Sequence, residues 1–174
     1  MASTKEFSIK QENMIADALG WIRVKGSGSR PTHPGDVISD DWVGECKTHI
    51  SESDTITIKL SDWNKLQTEC GFKRPVLFVD GGSQCADKTW CVVRSLPVIF
   101  ISTEAPIIST TDKIIRVNKN SISFKHSKMM EYHQNSVSKR SATMPLVYNI
   151  STADSERYIM WFPDFVKVVN KEYI

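Results

Sequence analysis

An α/β fold, with helices packed on a mixed central sheet, is predicted by three observations in this 174-residue chain. Apolar residues recur at helical spacing between Ile9 and Leu19. Two short valine-rich runs, Pro75 to Val79 and Trp90 to Arg94, read as buried neighbouring strands across a Gly81-Gly82 loop. The order of the signals, helix, several strands, helix, two strands, then a mixed tail, describes an α/β or α+β core with helices packed on a mixed sheet.

The elements follow in order. Ile9, Met14, Ile15, Ala18 and Leu19 define the first helix, with Ser8 as N-cap and Gly20 as stop. Trp21 to Val24 is a short strand, ended by the turn-forming run Lys25-Gly-Ser-Gly-Ser-Arg30-Pro31. Asp36 to Ser39 and Trp42 to Lys47 flank Asp40-Asp41, whose carboxylates suit a hairpin turn. The β-branched run Thr55 to Leu60 is a strand, after which Ser61 caps a helix from Asp62 to about Cys70, closed by Gly71. Beyond Leu96, Ile114 to Val117 and Ser121 to Phe124 form a hairpin over Asn118-Lys119-Asn120. Pro145 to Ile150 and Arg157 to Phe162 form a second hairpin, and Pro163 opens a terminal helix through Val169.

Composition narrows the function classes only slightly. At 40% hydrophobic and 24% charged residues, the chain has the make-up of a globular protein, with no repeat or low-complexity segment. Twenty-two Lys and Arg against 20 Asp and Glu leave +2, so a nucleic-acid surface has to come from local placement of charge. No run is long and apolar enough for a membrane span, and MASTKEFSIKQEN lacks the apolar core of a signal peptide, so a cytoplasmic location is expected. Cys46, Cys70, Cys85 and Cys91 are irregularly spaced with no Cys-x-x-Cys pair, which favours reduced thiols over zinc or disulfides.

Glu45 and Lys47 carry the chemistry. Two apart on a strand, they project from the same face while Cys46 turns into the core, and the hairpin brings Asp36 alongside. Two carboxylates on paired strands are hard oxygen ligands for Mg²⁺ or Mn²⁺, and a neighbouring lysine orients water for attack on a phosphodiester. An Asp, a variable gap and Glu-x-Lys occur by chance about 0.4 times in a chain of this length. Taken alone, the spacing reads as a solvated strand face with an ion pair.

The surrounding text changes that reading. Glu12 lies on the first helix, Trp21-Ile-Arg-Val-Lys-Gly-Ser-Gly-Ser-Arg30 follows, and Gly35-Asp36-Val37 precedes Glu45-Cys46-Lys47. In this order the chain resembles the PD-(D/E)XK nuclease superfamily, and most nearly its archaeal-type Holliday junction resolvases and related phage-encoded nucleases. The resemblance spans about residues 8 to 95 and includes Ile56 to Gln67 and Arg74 to Val79. Arg30-Pro31-Thr32-His33-Pro34 departs from the smaller or more basic residues common there, and nothing after Ser95 matches.

The resemblance implies a restriction-endonuclease-like core over residues 1–100, with residues 101–174 as a C-terminal α+β extension packed on it. It implies a Mg²⁺-dependent deoxyribonuclease, with Mn²⁺ able to substitute, acting on branched DNA during recombination as a homodimer, and in a host-cell cytoplasm if phage-encoded. Asp36, Glu45 and Glu12 would bind metal, and Lys47 would position the attacking water, its charged form disfavoured beside a cation. Ser27, Ser29 and Arg30 would bind phosphate through a glycine-rich loop, or serve only as a connector. Gln67 and His33 read as ordinary polar surface residues, and Trp42 and Trp63 as packing. Lys113, Arg116, Lys119, Lys125, Lys128, Lys139 and Arg140 form either a basic flank for a duplex or dispersed solvated charge. Two alternatives remain: a nuclease of the same fold cutting duplex or single-stranded DNA, and a non-catalytic DNA-binding module.

Overall fold

Two β-sheets of unequal size organise the chain in the computed structural model, which describes residues 3–26, 34–94, 114–138, 145, 147–150 and 156–170. The elements run α1 (Thr4–Leu19), β1 (Ile22–Arg23), β2 (Val37–Ile38), β3 (Trp42–Lys47), β4 (Thr55–Lys59) and α2 (Leu60–Glu69). There follow β5 (Arg74–Asp80), a 3-10 turn at Ala86–Lys88, β6 (Thr89–Val93), β7 (Ile115–Val117), β8 (Ser121–Lys125) and α3 (His126–Ser138). β9 (Val147–Asn149), β10 (Tyr158–Trp161) and α4 (Phe162–Val169) complete the order.

The larger sheet has seven strands in the order β1-β2-β3-β5-β6-β10-β9 and the smaller has three, β4-β8-β7. β3 pairs with β5 in parallel and the other described pairs are antiparallel, so the fold is α/β with a mixed central sheet, as expected. β5 and β6 sit at the centre, which explains their unbroken apolar text: Pro75 to Asp80 and all of β6 are buried. The three predicted hairpins are present, β2 with β3, β7 with β8 and β9 with β10. The strand at Thr55, however, does not enter the large sheet. It bonds β8, nearly seventy residues later, from Thr55↔Lys125 to Lys59↔Ser121.

Each face of the large sheet is covered by a different set of elements. On one side Ile15, Ala16 and Leu19 of α1 and Phe162, Phe165 and Val168 of α4 pack on Trp21, Trp42 and Phe78. On the other, Trp63 and Leu66 of α2, Ile56, Ile58, Ile122 and Phe124 of the small sheet, and Met129 of α3 pack on Val43, Leu77 and Trp90. Trp42 and Trp63 are therefore core residues, as their apolar surroundings predicted, and Trp42 lies edge-on to Phe165 at 5.3 Å between ring centres.

Two boundaries and one element differ from the sequence reading. α1 begins at Thr4, not after Ser8: Ser3 is the cap, and its hydroxyl and the Glu6 carboxylate form a reciprocal capping box. α2 begins at Leu60 directly from β4, with Lys59 at the cap and no side-chain cap, so Ser61 lies inside the helix. α3 was not anticipated at all. Gly20 does close α1, in a left-handed conformation. All four cysteines are free, and among the described residues no helix is long and apolar enough to cross a membrane.

Candidate active site

The β2–β3 hairpin brings Asp36 and Glu45 together. Val37 pairs with Gly44, and just before it the Asp36 N–H donates to the Gly44 carbonyl at 2.7 Å. Gly35 makes that approach possible: its φ is +81°, and a Cβ there would lie 2.5 Å from Val43 Cγ2 and 2.8 Å from the Gly44 carbonyl oxygen. The Asp36 carboxylate then accepts the Cys46 N–H at 2.9 Å, and so lies against the backbone between Glu45 and Lys47.

Alternation along β3 does the rest. Cys46 is buried with Trp42 against α1 and α4, whereas Glu45 and Lys47 point to the opposite face and remain partly exposed. Lys47 Nζ donates to Glu45 Oε1 at 2.8 Å. Glu12, on α1, is held by Arg23 of β1 at 2.9 Å.

The electrostatics tie these four residues into one cluster. Burial raises the Glu12 carboxyl above its ordinary value, and Asp36 and then Glu45 add to this against the opposing pull of Arg23. Burial likewise raises Glu45, with Asp36 reinforcing it and Lys47 and Lys65 opposing. Burial pushes the Lys47 ammonium down, but the hydrogen bond and charge of Glu45, with Asp62 and Asp36, outweigh it and leave Lys47 above its ordinary value. These acidic neighbours hold Lys47 firmly as an ammonium, whereas a bound cation would make it easier to deprotonate.

Three carboxylates that feel one another, two of them destabilised as anions, are a fit environment for a cation. Among the described residues no three His, Cys, Asp or Glu converge as a ready-made metal cage. Mg²⁺ does not require one, because it binds through one or two carboxylates and keeps waters for the substrate. Asp36 and Glu45 would hold such an ion, while Glu12, paired with Arg23, adds its charge from α1.

Several neighbours had not been singled out from the sequence. Gln11 is fully buried and its Nε2 donates to the Lys47 carbonyl at 3.1 Å, joining α1 to β3 one residue from Glu12. Its place four residues before Ile15 was the available signal, a polar side chain on an apolar helical stripe. Asp62 and Lys65 bring the charges of α2 to Lys47 and Glu45. Asp80 is buried at the end of β5 and accepts from the Thr48 hydroxyl at 2.6 Å, the Gly82 N–H at 2.7 Å and the Gln84 N–H at 3.0 Å. It fixes the chain as it leaves Lys47.

Among the described residues no hydrogen bond joins Gln67, partly exposed on α2, to this cluster. Ser27, Ser29, Arg30 and His33 lie outside the described residues. Comparison of the chain with protein-family models, curated proteins and solved structures finds no match.

Proposed function

We propose that the chain is a metal-dependent DNA endonuclease that hydrolyses phosphodiester bonds and selects branched DNA. The observation that carries this is the convergence of Asp36, Glu45 and Lys47 on adjacent strands, with Glu12 within electrostatic reach from α1. Order supports it too: setting aside β4, which joins the small sheet, a helix with Glu12, three antiparallel strands, a helix, and a strand parallel to the third is the arrangement that a restriction-endonuclease-like core requires.

A divalent ion bound here would acidify water and offset charge on the scissile phosphate. Asp36 and Glu45, held together by the β2–β3 pairing, would supply its oxygen ligands. Lys47 reaches the same space, where its ammonium holds the attacking water and balances the charge that develops on the phosphate oxygens. The Gln11 bond to the Lys47 carbonyl keeps α1 in register with β3, and hence Glu12 near Asp36. A branched substrate comes from the resemblance alone; a two-fold dimer would present two such sites to the symmetric strands of a junction.

The test is incubation of the purified protein with a four-way junction, a linear duplex and a single strand, with Mg²⁺ and with excess chelator, and with Asp36→Ala in parallel. Metal-dependent cutting of the junction, lost in the variant, is expected. Full activity in chelator, or wild-type cutting by Asp36→Ala, overturns the mechanism, and equal cutting of all three substrates overturns the branched specificity.

A further inference from the structure

The small sheet has two chemically opposite faces. Its inner face carries Ile56, Ile58, Ile115, Ile122 and Phe124, all buried against the large sheet. Register places the alternate residues outward in rows: Thr55 beside Lys125, Thr57 beside Ser123 and Arg116, and Lys59 beside Ser121. Among the described residues of these three strands, that outer face consists of hydroxyls and cations and carries no carboxylate.

Lys59, Arg116 and Lys125 are exposed and form no salt bridge among the described residues, and the Thr57 and Ser123 hydroxyls make no hydrogen bond there. Asp54, at the entry to β4, accepts the amide and hydroxyl of Ser127 and also feels the charge of Lys125. Arg116 and Lys125 also line a cavity of about 390 Å³ with Thr55, Ser123, Lys128 and the apolar Ile114 and Phe124.

We infer that the outer face of the β4-β8-β7 sheet is the surface on which this protein holds the phosphodiester backbone of duplex DNA. Charge complementarity commits it to a polyanion: three exposed cations with interleaved hydroxyl donors match phosphate oxygens, and the Asp54 carboxylate, whose charge Lys125 feels, is bonded to Ser127. Dimensions agree. Thr55 to Lys59 spans about 13 Å of strand, against one phosphate per about 3.4 Å of helix axis on each DNA strand. The face also leads toward the candidate active site, because Lys59 is followed directly by α2, whose Asp62 acts on Lys47. Such contacts set affinity and orientation, not sequence preference. The inference takes DNA as partner from the preceding reading, but it concerns binding and not cleavage.

The test is fluorescence anisotropy of a labelled 30-base-pair duplex with the full chain in Ca²⁺, from about 50 to 200 mM salt. The triple variant Lys59→Gln, Arg116→Gln, Lys125→Gln is compared with a control triple of equal charge loss elsewhere, Lys5→Gln, Lys10→Gln, Lys167→Gln. The face variant should lose at least about tenfold in affinity and about 2 to 3 from the slope of log K against log salt, and each single variant somewhat under 1. The singles keep the test valid should the triple fold poorly. Equal losses in the control, or a face variant within about twofold of wild type, overturn the inference while leaving the nuclease reading intact. Binding that depends on this face without metal-dependent cutting supports it and removes the nuclease. No duplex binding by the wild type removes both.

Discussion

The carboxylate of Asp36 accepts the backbone N–H of Cys46 at 2.9 Å, so a side chain at the start of β2 is bonded to the main chain of β3 midway between Glu45 and Lys47. Two roles meet in one residue, and substitutions separate them. Asp36→Asn retains an oxygen for the amide and should keep the wild-type thermal midpoint while losing cleavage. Asp36→Ala should lose cleavage and also about 1–3 kcal/mol of stability, the cost of a part-buried amide left without its acceptor. Chemical denaturation beside a cleavage assay reads both, and equal stability of the two variants would remove the structural role.

Glu45→Gln should abolish cleavage with duplex affinity largely retained, since loss of a carboxylate does not weaken phosphate contacts. Ca²⁺ should support binding without turnover, because it accepts looser geometry than Mg²⁺. A Glu45→Gln protein that cuts at the wild-type rate places the chemistry elsewhere.

Lys47 distinguishes a catalytic site from a surface ion pair. Its side chain is 42% exposed and that of Glu45 24%, so as a mere pair they contribute roughly 0–1 kcal/mol and Lys47→Arg would be nearly neutral. If the ammonium holds the attacking water, the planar guanidinium places its donors wrongly. Single-turnover cleavage should then fall by at least about a hundredfold with affinity unchanged. A rate within about threefold of wild type returns Lys47 to the surface.

Asp54 supplies a pH dependence that lies outside the site. The Ser127 amide foremost holds the Asp54 carboxyl below its ordinary value; burial opposes it, and the Ser127 hydroxyl and the charges of His126 and Lys125 add to the lowering. A carboxyl depressed in the folded state stabilises fully above its unfolded value of about 3.9 and loses that contribution as pH falls through the lower folded value. Asp54→Ala should therefore cost about 1 kcal/mol near neutral pH, as for a lost helix cap, and the gap to wild type should close below about pH 4. Urea midpoints across that range measure it, and a gap constant with pH would show that the contact is not ionic.

Gly35→Ala tests the hairpin that carries Asp36. Alanine at φ +81° strains the backbone, and its Cβ would press on Val43 and the Gly44 carbonyl. A loss of about 2–4 kcal/mol is expected from the two effects together. An unchanged melting temperature would mean that the Gly35 backbone is not held in this conformation.

Much of this was legible because the deciding signals were local. β5 and β6 announce themselves as continuous apolar runs, since central strands bury both faces, and the Glu45/Cys46/Lys47 alternation follows from the pleat. α3 was illegible for the opposite reason. Its N-terminus is held by Asp54, 73 residues away, through Ser127, so no capping residue precedes it in the text. The partition of strands between two sheets was hidden for the same cause: β4 reads like any half-buried strand, and only β8 decides where it pairs. Glu12 could be placed near the cluster, but its bond to Arg23 depends on how β1 lies against α1.

The central strands also wait for late partners. β6 bonds β5 on one edge and β10 on the other, and β4 acquires β8 only after Ser121. As the chain leaves the ribosome, the edge of Thr89 to Val93 is therefore complete but unpaired until Tyr158 emerges, roughly 65 residues and about 3–13 s later at ordinary elongation rates. An apolar strand with open amides and carbonyls is a template for pairing with other chains. Truncation after Val93 should yield insoluble protein, and the nascent chain should need protection from a chaperone during synthesis.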